Sequence, residues 1–130
     1  MAAPFMDQWS PATRIAVHEA FVDFLDGPSG NASVTIHRND DVLLATLDLQ
    51  RPCGTVDPTT GQITFAPDGL EENAPNEGTA AYAVIRDSSG DPHRSLGCIQ
   101  GSVPVLNKCV LNSTLIEENG RVELISMVIV

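Results

Sequence analysis

Three histidines, three cysteines and two pairs of neighbouring carboxylates are the side chains of this chain best suited to chemistry. A metal site needs ligands whose spacing brings them to one side, as in HExxH or a CxxC half-site. His18, His37 and His93 fall on a helix, a strand and a hairpin, and Cys53, Cys98 and Cys109 are separated by wide gaps, so neither set has that spacing. Odd in number, the cysteines also make no disulfide framework and read as small buried hydrophobes. Asp40-Asp41 and Glu71-Glu72 lack the alternating oxygens and glycine turn of a calcium loop, and read as solvated turn charge. Gly27-Pro28-Ser29-Gly30 follows a helix instead of opening one, so it is no phosphate cradle, and there is no GxSxG elbow. Basic residues are scattered and aromatic ones dispersed, which leaves neither an anion cluster nor a stacking platform. The sequence thus predicts no enzyme, no cofactor, no metal and no small-molecule substrate.

Composition narrows the partners further. Acids outnumber bases 17 to 7, and the net charge of −10 repels phosphate backbones and anionic headgroups, which speaks against nucleic acid and membrane surfaces. A length of 130 residues suits one core and not two. Ten Gly and nine Pro point to turns and short strands more than to a helix bundle. The first nine residues carry an acid, a proline and no base, unlike a signal peptide, so synthesis and folding in a cytoplasm are expected.

Any working residues must be positioned by a single β-rich domain over residues 10–130, preceded by an extended arm at 1–9. The arm has no period, yet Phe5, Met6 and Trp9 are apolar and gain nothing in water unless they dock on their own domain or on a neighbour. Ser10-Pro11 offers a capping hydroxyl followed by a proline suited to a first helical turn, and Gly27-Pro28 stops the helix, which therefore spans 11–26. Ile15, Val22 and Leu25, flanked by Val17, Phe21 and Phe24, form its apolar stripe, with His18 as a satisfied histidine at the edge. From Asn31 the period becomes two. Strands are expected at 33–37, 42–49, 62–65, 79–86, 93–101, 103–112 and 121–130, with turns at 39–41, 51–54, 57–61, 87–92 and 118–120 and the longest loop at 66–78. About seven strands and one N-terminal amphipathic helix predict an antiparallel β-sandwich or jelly-roll-like domain. The last strand, with Ile125 and Val128, is apolar on both faces. It must be central in its sheet or buried in an oligomer. Phe5, Met6, Trp9, Val128 and Val130 are accordingly the candidate assembly contacts.

The stretch Gly78-Thr79-Ala80-Ala81-Tyr82-Ala83-Val84-Ile85-Arg86-Asp87-Ser88-Ser89-Gly90 resembles the "GTATWARIxDSxG" pattern of a family of small proteins of tailed bacteriophages. Val110-Leu111-Asn112-Ser113-Thr114-Leu115-Ile116 and Gly120-Arg121-Val122-Glu123-Leu124-Ile125-Ser126 are similar to that family's "LxLNSTxIxxGxxVxIxS" ending. Upstream, Leu44-Ala45-Thr46-Leu47-Asp48-Leu49 is similar to "LAELxLS" and Gly61-Gln62-Ile63-Thr64-Phe65 to "GxLTF". The pieces occur in the same order over about residues 10–130; Cys98, Cys109 and Pro104 depart from the pattern. The resemblance implies a β-rich structural component of a virion, on its tail side or as an accessory of head or collar, whose partners are copies of itself and other virion proteins. Two other functions fit the residues. A carbohydrate- or receptor-binding β-sandwich module would stack its ligand on Tyr82 and Trp9, and a small hydrolase or metal enzyme would need His37, His93 and nearby acids brought together.

Overall fold

The computed structural model describes residues 9–130. Helix α1 (Pro11–Asp26) occupies the segment that its caps mark. Ser10 Oγ accepts the Thr13 amide at 3.2 Å, Pro11 opens the first turn, and the Gly27 amide donates to Asp23 O at 3.1 Å. Nine strands follow among the described residues: β1 (Ser33–His37), β2 (Leu43–Val56), β3 (Ile63–Pro67), β4 (Gly78–Thr79), β5 (Tyr82–Arg86), β6 (Pro92–Gln100), β7 (Lys108–Leu111), β8 (Leu115–Ile116) and β9 (Leu124–Ile129). The chain is mainly β, but the sandwich expectation is corrected. Seven strands close into a barrel in the order β1-β2-β3-β9-β7-β6-β5, with β5 pairing back to β1, while β4 and β8 form a separate two-stranded ladder.

A closed wall of this size leaves an interior that side chains fill, with no open lumen. Val34 and Ile36 on β1 stand in register with Leu47 and Ala45 on β2 and with Ile85 and Ala83 on β5, and all six are buried. Ile63, Leu111, Met127 and Ile129 complete the core from the other side of the wall. Ala74, Ala80, Ile116 and Val122 are buried beside the β4–β8 ladder, where the Glu71–Val122 bridge also lies.

The expected all-antiparallel arrangement also fails at one place, because β6 and β7 run parallel. A parallel pair cannot be joined by a tight hairpin. The connection at 101–107, which holds Pro104, instead pairs its backbone with the strands it joins and with β9. Gly101 donates to Leu111 O at 3.1 Å, the Asn107 amide donates to Val128 O at 2.7 Å, and Leu106 bridges Val128. β9 sits between β3 and β7, and Val128, where the connection bridges it, is buried within its own chain.

The helix closes one end of the barrel. Arg14 Nη1 donates to Thr60 O at 2.8 Å and His18 Nδ1 bonds to Gly61 O at 2.5 Å, both in the β2–β3 turn. Gly61 has φ of 78°, and a Cβ there would lie 2.9 Å from Arg14 Cγ, so this turn needs glycine both for its backbone and for the approach of the helix. At the other helix end, the Arg51 guanidinium donates to Asp26 O, Gly27 O and Gly30 O, placing a cation on carbonyls that lack helical partners. Arg51 can do so because β2 runs on through residues 51–54, expected as a turn.

Cys53, also on that extension, is buried beneath the helix, with its thiol 3.9 Å from Val22 O. Burial first, then the neighbouring Asp26 carboxylate, push the thiol up from 9.0 to about 12. In the window between those values the folded protein keeps a proton that the unfolded chain has lost. The contribution is therefore complete below about pH 9 and disappears as pH rises toward about 12. Melting temperature measured across this window should fall more steeply for the native protein than for Cys53→Ala.

Candidate assembly surface

The outward face of α1 is the most apolar part of the helix still open to water. On the helix Phe24 is 56% and Val17 37% exposed, and Trp9, just before the helix, is 52% exposed. Both aromatic rings are held. The Trp9 carbonyl accepts Arg14 Nη2 at 3.3 Å, and its ring stands edge-on to the buried His18, 6.4 Å between centroids. Phe24 stands edge-on to His93 at 4.7 Å. Between them lies a groove of about 150 Å³ lined by Trp9, Val17, His18, Phe21, His93 and Arg94.

His93 is itself held from below. Its Nε2 lies 2.7 Å from Asp87 Oδ2, while Asp87 Oδ1 accepts the amides of Ser89 and Asp91 at 2.9 and 3.0 Å. The His93 hydrogen bond, followed by those amides, holds the Asp87 carboxyl below its ordinary range. The β5–β6 turn therefore supports the groove wall as a hydrogen-bonded unit.

A second group of exposed apolar side chains sits on the crossover, with Val103 63%, Leu106 50% and Val105 40% exposed. The same crossover alters two expectations. Val128 is only 7% exposed and is covered by its own chain, so it is not a contact offered to a neighbour. Ile125, expected to be buried, is 37% exposed, because the register between β7 and β9 shifts there: Val110 faces Ser126 and Leu111 faces Leu124, leaving Ile125 as the extra residue. Val130 is half-buried, with its amide donating to Asn107 Oδ1 at 3.0 Å. Phe5 and Met6 lie outside the described residues. Of the candidate contacts, Trp9 alone is both described and well exposed. Phe24 was legible as part of the helical stripe, but its exposure depends on how far the helix turns onto the barrel end.

The polar candidates are dispersed. His37 pairs with Tyr82 at one end of β5, and His93 follows Pro92, the partner of Arg86 at the other end. Four residues of strand separate those ends by roughly 13 Å, so the two histidines are not brought together. His37 instead stacks on Tyr82 at 5.1 Å, with its Nε2 2.9 Å from Thr35 Oγ1, which also accepts Arg86 Nε at 3.0 Å. The Tyr82 hydroxyl donates to Asp41 Oδ1 at 2.5 Å, so this ring has one face and its polar tip already engaged. Asp40 pairs with Arg38 at 2.8 Å, and Glu71 bridges Val122 through its backbone. Among the described residues, no group of three or more His, Cys, Asp or Glu side chains is placed to hold a metal ion, and no helix is long and apolar enough to cross a membrane.

No family model, curated protein or solved structure matches this chain.

Proposed function

We propose that this chain is a structural component of a tailed-bacteriophage virion, on its tail side or as an accessory of head or collar, and that it acts by packing beside copies of itself and other virion proteins. The observation that carries this reading is the pair of large aromatic side chains held more than half exposed at a helix fixed at both ends, Phe24 on the helix and Trp9 just before its N-cap. Aromatic groups that are ordered before contact lose little freedom when a partner covers them, which makes them efficient anchors at an interface. The ordered series of similar motifs over residues 10–130 supports the viral assignment. In a particle, many repeated contacts act together, so each can be weak. A net charge of −10 favours a place away from the packaged genome. Synthesis in the host cytoplasm precedes incorporation.

Sedimentation of the purified protein over a concentration series should reveal self-association. Trp9→Ser and Phe24→Ser should each weaken it by about tenfold, the effect of losing one interface anchor. Mass spectrometry of purified particles should find the chain in many copies. A protein that stays monomeric and is absent from those particles would overturn the proposal.

A further inference from the structure

The barrel wall contains a single parallel seam, four register pairs long, and its second pair is Cys98 with Cys109. Register partners in a β ladder present their side chains on the same face, and adjacent strands lie about 4.8 Å apart. That spacing falls within the range of about 4.4–6.8 Å between Cα atoms that a disulfide bridges. Both residues face the interior: Cys98 packs against the core, and Cys109 is fully buried in register with Met127. Both are free thiols, and the register places them side by side. The two differ in access, since Cys98 is half-buried while Cys109 has no exposed surface.

We propose that Cys98 and Cys109 form an oxidisable dithiol site that a small-molecule disulfide converts into a cross-strand bond closing the parallel seam. Cys98 is the attacking group because it is the less buried of the two, and the neighbouring Cys109 thiol holds the Cys98 thiol below its ordinary range. The neighbouring Cys98 thiol, followed by burial, pushes the Cys109 thiol up, so Cys109 keeps its proton until the second step. With glutathione disulfide as the oxidant, the Cys98 sulfur attacks one glutathione sulfur; the glutathione S–S bond breaks and the first glutathione leaves as a thiol. Cys109 then attacks Cys98 Sγ in the mixed disulfide and releases the second glutathione. One protein S–S bond has formed, two electrons have passed to glutathione disulfide, and the two protein thiol protons end on the two released thiols. In a reducing compartment the pair remains as thiols; in an oxidising medium the seam closes. Parallel ladders are slightly less stable per residue than antiparallel ones, and the bond would brace the parallel pairing of this wall. This inference does not rest on the packing function.

The test treats the reduced, full-length protein with glutathione disulfide and follows intact mass, alkylation and peptide mapping. The expected product is monomeric and lighter by two hydrogens, with a peptide linking Cys98 to Cys109 and Cys53 still a thiol. Its melting temperature should rise by several degrees and return to the starting value on reduction. Cys53→Ser should behave like the native protein, whereas Cys98→Ser should keep its remaining thiols. A product that stops at a glutathione adduct on Cys98, a disulfide between chains, or a bond involving Cys53 would overturn the proposal. So would full retention of both thiols.

Discussion

Val128→Asp is expected to unfold the protein or make it insoluble, whereas Ile125→Asp, three residues earlier on the same strand, is expected to be tolerated. Val128 is 7% exposed, lies between the neighbouring strand residue Thr64 and the crossover, and is bridged by Leu106. A carboxylate there has no basic partner among these neighbours, and an uncompensated buried charge costs about 3–5 kcal/mol. Ile125 occupies the register shift and is 37% exposed, so a charge there keeps much of its hydration and should change stability by only about 0.5 kcal/mol. Denaturant unfolding of the two variants measures the contrast directly. If Val128→Asp melted like the native protein, Val128 would not be a buried position; if Ile125→Asp failed as well, the register shift would be misplaced.

That contrast also marks where the sequence stops being informative. Apolar residues on both faces of the last strand require cover on both sides, and this much is legible from composition and period. Which residue faces which side is not, because one extra residue reverses the alternation and leaves no mark in the string. From the sequence alone Val128 reads as a contact with a neighbour, whereas it is buried within its own chain. Closure into a barrel is hidden for a related reason: alternation reports that one face of a strand is buried, but not which edges meet. The parallel β6–β7 pairing was hidden in turn, since residues 101–107 contain a proline that reads equally well as an interruption within a strand. Pro52 and Gly54 likewise signalled a turn, yet β2 runs through them and brings Arg51 to the helix end. By contrast, the helix was legible to its ends, because Ser10-Pro11 and Gly27-Pro28 act through local backbone chemistry that no distant contact had to supply. Of the candidate surface, Trp9 could be found as an apolar residue with no periodic neighbour to cover it. The Cys98–Cys109 pairing could not, because it exists only through the seam.

Leu25→Ala should produce the second large effect, and its neighbour Phe24 supplies the control that separates folding from assembly. Leu25 is fully buried where the helix meets the barrel end, and its carbonyl accepts the Ser88 amide at 2.9 Å. Truncating such a side chain leaves a cavity and costs about 2–5 kcal/mol. Because the side chain connects the helix to the wall, its loss should also loosen the frame that holds Trp9 and Phe24. Stability and self-association are then expected to fall together. Phe24 is 56% exposed and stacks T-shaped with His93, so Phe24→Ser should leave the melting temperature nearly unchanged while weakening self-association. Thermal melts and sedimentation on both variants distinguish the two roles. Equal loss of stability in both would make Phe24 a packing residue of the fold, and the helix face would then have no claim to be an assembly surface. A stable Phe24→Ser protein that associates as well as the native one would remove that claim from the other direction.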